Sequence, residues 1–264
     1  RNDVQPRDLA QIVEVHALDH VAVVDAILDP QILMLAVVVL GALGNPHGRE
    51  ARAQHLDLLV GRGLRGVSMA QALAEPRPDQ VALTFDDGYL DNWVYAHPIL
   101  QKYGMHAVVF VVTGWMHEGP IRPHAGIEGA ELPATPEHRA CEDLIYKQGR
   151  SDEVMMRWSE ARAAIEAGTF EVHCHTHSHT RWLKRDDLDR AQRREGISGD
   201  LAMAKQTLLE KLGEVSDTLC WPYGDFDDDY IEVAREQGFR YLHTTHPFGR
   251  NVIGGDPERI AVAG

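Results

Sequence analysis

Short apolar runs alternate with amphipathic stretches through most of the chain. Runs rich in β-branched residues occupy 81–85, 106–112 and 170–174, and the stretches 91–104 and 151–168 between them have helical spacing. Strand–helix alternation repeated in this way is typical of a parallel sheet, either open or closed into a barrel. The alternation therefore predicts an α/β fold built on parallel strands.

The composition limits the size, partners and location of the protein. A chain of 264 residues is long enough to bury a sizeable core as a single domain. Its formal net charge of -14 repels phosphate backbones, so no nucleic-acid partner is expected. The longest apolar run, 32–44, is too short to cross a bilayer as a helix and is interpreted as a buried strand. The sequence therefore predicts no transmembrane segment, and it does not indicate an oligomeric state.

Two segments stand outside the alternation. Residues 1–30 have apolar patches but no clear place in the pattern, so they are interpreted as an N-terminal extension of unclear role. Residues 117–150 are rich in Gly, Pro and His and interrupt the pattern inside a domain that spans 31–264. A long irregular stretch in a compact domain is often functional, so 117–150 is predicted to be a functional loop insertion.

Four polar clusters follow predicted strands: TFDDG (84–88), HCHTHSH (173–179), CWPYG (220–224) and HTTHP (243–247). In parallel α/β folds the carboxyl ends of the strands form one rim, and active sites lie at that rim. We therefore expect these four clusters to approach one another.

The histidine cluster suggests a metal site. His175 and His179 are four residues apart, and in a helical turn they would face the same way and could bind one divalent ion with a carboxylate. The adjacent carboxylates of Asp86 and Asp87 allow one to bind a metal and the other to act as a base. Interpretations without a metal remain open at this point. An alternating histidine run can be a solvated loop, and Asp-Asp-Gly alone is usually a turn. His97, His106 and His138 are interpreted as ordinary histidines.

Three motifs together resemble a known family. TFDDGYLDN, HTHSH and WPYGD, in this order and at these separations, resemble the polysaccharide deacetylases that share the NodB homology domain, carbohydrate esterase family 4. The biofilm poly-GlcNAc deacetylase branch is the nearest in pattern. The resemblance implies a distorted (β/α) barrel with about seven parallel strands. It also implies one divalent metal ion, with zinc expected and Co²⁺, Ni²⁺ or Fe²⁺ as alternatives.

The resemblance assigns roles residue by residue. Asp87, His175 and His179 correspond to the metal ligands, and Asp86 corresponds to the general base. Residues predicted to contact substrate are Trp221, Pro222, Tyr223 and His177, and the backbone N–H of Tyr223 is expected to stabilise the oxyanion. The implied reaction removes N-acetyl groups from an acetylated, GlcNAc-containing glycan, and the implied location is extracytoplasmic, either periplasmic or secreted.

The chain departs from the family pattern at three places. Cys220 occupies the position where many members have an arginine that orients the base. The usual Leu-x-His acid motif is not evident, which leaves His243 and His246 as candidates for the catalytic acid. The stretch 33–38 replaces the Met-Tyr-His segment of many relatives at the first strand.

Two other functions remain open on the sequence. An amidohydrolase or deacetylase acting on a small or lipid-linked amide is favoured if the insertion closes the groove into a pocket. The third hypothesis is an inactive glycan-binding member of the fold. The presence of all four predicted site residues, Asp86, Asp87, His175 and His179, argues against this hypothesis. The shape of the groove is expected to discriminate among the three.

Overall fold

A computed structural model describes most of the chain between residues 56 and 245. The described residues are 36–39, 56–57, 59–74, 77, 79–214, 216–245, 257 and 260–262. The predicted extension 1–30 and the candidate acid His246 lie outside them.

Parallel strands form one continuous sheet. They are β1 (Ala36–Val39), β2 (Arg65–Gly66), β3 (Gln80–Phe85), β4 (Ala107–Val111), β5 (Phe170–Cys174), β6 (Thr218–Cys220), β7 (Tyr241–Thr245) and β8 (Ile260–Val262). The hydrogen-bonded order is β1-β3-β4-β5-β6-β7-β8, and β2 pairs with β3. All of these pairings are parallel, as the strand–helix alternation predicts.

The sheet curls so that its ends approach. β1 and β8 lie at opposite ends of the hydrogen-bonded order and are nevertheless in contact. The predicted α/β class with a barrel-like parallel sheet is confirmed. The predicted number of about seven strands is not confirmed, because the described part of the chain has eight strand segments, three of which contain only two or three residues.

Helices connect the successive strands from β2 to β7. They are α1 (Met69–Ala74), α2 (His97–Tyr103), α3 (His138–Glu142), α4 (Trp158–Glu166), α5 (Arg190–Leu212) and α6 (Asp228–Glu236). Asp189 caps the first turn of α5 by accepting from the Gln192 N–H, and the Gln192 Oε1 accepts from the Asp189 N–H to complete a capping box. No helix in the described ranges has the length and apolar character needed to cross a lipid bilayer.

The predicted helix 91–104 is helical in the structure but is not α-helical throughout. Residues Asn92–Ala96 form a π-helical turn, and α2 begins only at His97. Pro98 lies in the first turn of α2, the part of an α-helix that accommodates a residue without an N–H to donate. Gly104 ends α2 in the left-handed conformation, at a φ of 62°.

Both faces of the central strands are buried. Every residue of β3 and β4 is buried, which explains why both strands are predominantly apolar. Val81, Leu83 and Val109 pack towards the helices in the main core. Phe110 and Cys220 belong to a smaller cluster with residues of α1 inside the barrel.

The insertion 117–150 is tied to α4 by a buried ion pair. The Arg122 guanidinium donates to both carboxylate oxygens of Glu160 at 2.7 Å. It also donates to the backbone carbonyls of Asp152 and Met155 at 2.8 and 2.7 Å. The Glu160 side chain is 0% exposed and that of Arg122 is 14% exposed. Removing the arginine would therefore leave an uncompensated buried carboxylate.

We expect Arg122→Met to destabilise the protein by about 3–5 kcal/mol, the usual cost of breaking a buried pair from one side. Urea unfolding would measure it. Arg150→Met is the matched control, because Arg150 also lies in the insertion but pairs with Glu153 on the surface, where both side chains are about half exposed. This control should cost less than about 1 kcal/mol. Equal losses in the two variants would contradict the structural role of Arg122.

Glu171 is a largely buried carboxylate inside the barrel. Its oxygens lie 3.4 Å from His173 Nε2 and 3.8 Å from His106 Nε2, and one accepts from the Met69 N–H. Burial alone would raise the pKa of Glu171. The two imidazoles and the N–H outweigh burial and lower the pKa from 4.5 to about 2.

This lowered pKa makes stability depend on pH in a known direction. A carboxyl with a depressed folded-state pKa stabilises the protein above its ordinary pKa of 4.5, and this contribution is lost as pH falls towards 2. We expect Glu171 to account for roughly 3 kcal/mol of that loss. Unfolding measured against pH for the wild type and Glu171→Gln isolates the contribution. Parallel curves for the two proteins would contradict it.

Candidate metal centre

Three side chains converge at the carboxyl ends of β3 and β5. Asp87 follows β3, and His175 and His179 lie in the loop after β5. Asp87 Oδ1 lies 3.4 Å from His175 Nε2 and 3.3 Å from His179 Nε2, and the three potential ligand atoms lie within 4.8 Å of one another. Their side chains are 13%, 4% and 8% exposed, respectively. The predicted metal ligands are thus brought together.

The donor atoms fit a divalent cation. The Nδ1–H of His175 donates to the Cys220 carbonyl at 2.8 Å, so a neutral His175 directs the Nε2 lone pair at Asp87. Asp87 Oδ1 is buried and has no hydrogen-bond partner among the described residues. A carboxylate oxygen that faces imidazole lone pairs in a buried site needs a positive charge between them. Two imidazole nitrogens and a carboxylate oxygen suit Zn²⁺ and neighbouring transition metals.

The electrostatics of the triad follow from burial and proximity. Burial would raise the pKa of Asp87, but the neighbouring His175 and His179 imidazoles lower it overall. Burial lowers the pKa of His179 to about 4, despite the nearby Asp87. The Asp87 carboxyl is therefore ionised and the His179 ring is neutral at neutral pH, as metal binding requires.

Unusual backbone conformations position this site. Asp87, Thr176, His179 and Tyr223 have φ values of 67°, 66°, 57° and 59°. Residues other than glycine rarely adopt this left-handed region. Each such residue lowers the stability of the folded state by on the order of 1–3 kcal/mol of conformational strain. Three of the four are predicted site residues. Among the residues that the structure describes, left-handed side-chain-bearing residues are therefore concentrated where the chemistry is expected.

The loop that carries both histidines is not helical. The expectation that a helical turn aligns His175 and His179 is wrong, because residues 175–179 form an irregular loop. The left-handed conformations of Thr176 and His179 turn the second imidazole back towards the first. The Thr176 hydroxyl oxygen accepts from the His179 N–H at 3.1 Å and stabilises that turn.

Asp200 on α5 holds the middle of the same loop. Its Oδ1 accepts from the N–H groups of His177 and Ser178 at 3.0 and 2.8 Å. Its Oδ2 accepts from the Ser178 hydroxyl at 2.9 Å and from Trp182 Nε1 at 3.1 Å. The Asp200 carboxylate thus fixes the loop between the two predicted ligands.

Asp86 lies beside the triad and faces the same cavity. Burial raises its pKa to about 6, and the negative charge of Asp87 adds to the effect. Cys220, which stands where the resemblance implies an arginine, is completely buried. Within the ranges that the structure describes, no side chain donates a hydrogen bond to the Asp86 carboxylate.

A cavity of about 180 Å³, open to solvent, surrounds these groups. The predicted residues that line it are Asp86, Asp87, His175, His179, Trp221 and Tyr223. Sequence reasoning missed Tyr89, Trp115, His138, Glu142 and Tyr146, which also line it. A spacing of four residues separates His138, Glu142 and Tyr146. In the sequence, this spacing was the signal that could have indicated a helical segment with one face on the cavity.

Tyr223 forms the exposed side of the cavity next to His179. The ring centroids of the two residues are 4.6 Å apart, and the Arg181 guanidinium lies 4.4 Å from the Tyr223 ring. Arg181 also pairs with Asp225 at 2.7 Å, which links the histidine loop to the turn Pro222–Gly224. The buried Pro222 belongs to that turn.

Two other predicted residues lie away from the cavity lining. His177 points its Nδ1 at the Thr113 hydroxyl, at 2.9 Å. His243 is completely buried inside the barrel, where its Nδ1 and Nε2 lie 3.3 Å from the Leu219 carbonyl and the Met69 sulfur. Burial lowers the pKa of His243 to about 3. This placement gives no support to a role for His243 as catalytic acid.

Comparison with known proteins points to one family. The family description for polysaccharide deacetylases matches residues 74–242. The chain is 27% identical over 164 residues to a poly-beta-1,6-N-acetyl-D-glucosamine N-deacetylase of Staphylococcus aureus (strain MRSA252), a match that covers 61% of this chain and 46% of that protein. YxkH of Bacillus subtilis (strain 168) is 22% identical over 173 residues, or 66% of this chain and 47% of that protein. The chain thus spans about half the length of the curated relatives it matches.

Solved structures share the fold. A de-N-acetylase from Aggregatibacter actinomycetemcomitans superposes with a TM-score of 0.66 at 18% identity, covering 86% of this chain and 93% of that one. IcaB from Ammonifex degensii superposes with a TM-score of 0.64 at 24% identity, covering 87% and 90%. At these identities the similarity concerns the architecture, and it agrees with the curled parallel sheet.

Proposed function

The chain belongs to the polysaccharide deacetylase family, and from this premise we propose that it is a metal-dependent hydrolase that removes N-acetyl groups from a GlcNAc-containing polysaccharide. The observation that carries the proposal is the convergence of Asp87 Oδ1 with the Nε2 atoms of His175 and His179, beside the Asp86 carboxylate in one open cavity. A metal triad and a free carboxylate are the groups that hydrolysis of an unactivated amide needs.

Asp87, His175 and His179 would hold one divalent ion, for which we propose zinc, with Co²⁺, Ni²⁺ and Fe²⁺ as alternatives. When bound, such an ion supplies Lewis acidity to water and to the amide carbonyl.

The remaining steps fall to residues of the chain. Asp86 takes a proton from the water molecule that adds to the acetamide carbonyl. The Tyr223 N–H donates to the carbonyl oxygen as that oxygen gains negative charge. One such donor typically stabilises the transition state by roughly 3–4 kcal/mol. The C–N bond then breaks to give acetate and a free amine, and the proton held by Asp86 can pass to the leaving nitrogen. This assignment balances the protons without His243.

The walls of the cavity support a sugar substrate. Tyr146 and Tyr223 are 52% and 44% exposed and both line the cavity. Exposed aromatic rings offer flat apolar surfaces for sugar rings, with a hydroxyl to hydrogen-bond. The similarity to a poly-beta-1,6-N-acetyl-D-glucosamine N-deacetylase supports a polymer of that type. Such a substrate is consistent with an extracytoplasmic location, which we include in the proposal.

Acetate release across a panel of substrates tests this function. The panel contains β-1,6-linked and β-1,4-linked GlcNAc oligosaccharides of increasing length, together with small N-acetylated amides, each with zinc present. We expect release to rise with oligosaccharide length and to be weak for the small amides. Faster release from a small amide would favour an amidohydrolase. Glycan binding without any release would favour an inactive member of the fold.

A further inference from the structure

We propose that Tyr146, on the inserted segment 117–150, is a positioning residue for His179, so that the insertion completes the metal centre. The inference rests on the proposed metal triad and goes beyond it by giving the insertion a role at a named atom. The Tyr146 hydroxyl lies 3.0 Å from His179 Nδ1. This hydroxyl is the Nδ1 partner of His179 within the described part of the chain.

The position of the proton on a metal-binding imidazole explains why the contact between Tyr146 and His179 matters. A neutral ring that binds a cation through Nε2 carries its proton on Nδ1, and that proton needs an acceptor. For His175 the acceptor is the backbone carbonyl of Cys220, which is part of the barrel. For His179 the acceptor is the Tyr146 hydroxyl oxygen. The two histidines are therefore supported by different parts of the protein.

Aromatic packing holds Tyr146 in place. Its ring meets the Trp115 ring edge-on, with centroids 5.4 Å apart, and Trp115 also lies 4.9 Å from the His179 ring. The packing involves the ring, whereas the contact with His179 involves only the hydroxyl, and the two can be separated experimentally.

The insertion itself is anchored at two places before Tyr146. Arg122 ties its early part to the buried Glu160. Cys141 and Ile145 bury their side chains in a separate apolar cluster with Trp115 and Met155. Tyr146 therefore extends from a packed element, and its hydroxyl is held in place before a metal binds.

Tyr146→Phe keeps the ring and removes only the hydroxyl. We expect the dissociation constant for Zn²⁺, measured by competition with a chromophoric chelator, to rise about 10–100-fold, as is typical when a partner of a metal-binding histidine is lost. The absorption spectrum of the Co²⁺-loaded protein should also change, because the orientation of His179 is less restricted. The melting temperature of the metal-free protein should not change, since the packing is preserved.

Tyr103→Phe is the matched control. It removes a tyrosine hydroxyl that bonds Asp57, outside the cavity lining, and it should leave the Zn²⁺ affinity unchanged. Wild-type Zn²⁺ affinity and an unaltered Co²⁺ spectrum in Tyr146→Phe would overturn the inference while leaving the triad intact. Absence of metal binding by the wild-type protein would instead overturn the triad and the proposed function. An equal loss of Zn²⁺ affinity in both tyrosine variants would also overturn the inference, because it would indicate a general effect of removing a hydroxyl.

Discussion

His175→Ala is expected to abolish stoichiometric metal binding and, with it, acetate release. The wild-type protein should contain close to one divalent ion per chain after loading and desalting. The variant loses the ligand whose orientation is most fixed, because His175 is 4% exposed and is held by the Cys220 carbonyl. Two remaining ligands, Asp87 and His179, do not hold a transition metal against dilution. Metal content by mass spectrometry and Zn²⁺ affinity by chelator competition both measure the change.

His177→Ala provides the control for metal content. His177 lies in the same loop, between the two predicted ligands, but its ring contacts the Thr113 hydroxyl and does not line the cavity. We expect this variant to retain close to one ion per chain. A metal-free wild-type protein at neutral pH, or equal metal loss in the two variants, would contradict the assignment of the triad.

Local pattern and motif order predicted most of the architecture. Buried strands with β-branched residues were recognisable because both faces of β3 and β4 are covered, which requires continuous apolar runs. The three side chains predicted as metal ligands from the motifs are brought together in the structure. The helical argument for His175 and His179 failed, however, because the left-handed conformations of Thr176 and His179 are not encoded in a spacing rule.

Strand alternation explains why His243 does not lie at the cavity. Neighbouring residues on a strand point to opposite faces. Leu242 packs in the main core between sheet and helices, so His243 points into the barrel, 5.2 Å from the Phe110 ring. A position near the end of a strand therefore does not by itself place a side chain at the rim.

Tertiary contacts account for what the sequence could not indicate. Asp200 lies in the middle of α5, far along the chain from Ser178, and nothing in its local sequence marks it as the acceptor for the histidine loop. Tyr146 was placed inside a segment interpreted as a loop, and its contact with His179 depends on how the insertion folds back. Composition identified the insertion as unusual but could not show which of its residues reach the cavity.

Asp86→Asn is expected to retain the metal and to lose acetate release by roughly 10²–10⁴-fold, the usual contribution of a general base. Asparagine has nearly the same shape as aspartate but cannot accept the proton from the attacking water. The variant should fold normally, because no side chain in the described part of the chain donates to the Asp86 carboxylate. A neutral amide also avoids the free-energy cost of burying a charged carboxylate. Steady-state acetate release from GlcNAc oligosaccharides, measured beside zinc content, separates the chemical step from metal binding.

Asp87→Asn is the contrasting variant, because Asp87 Oδ1 faces both imidazoles and Asp86 is assigned no ligand role. It should lose Zn²⁺ affinity as well as activity. If Asp86→Asn instead released its zinc, Asp86 would have to be counted among the ligands. If it kept both zinc and wild-type activity, the base would have to be another group in the cavity, and Glu142 and His138 are candidates that the insertion places there.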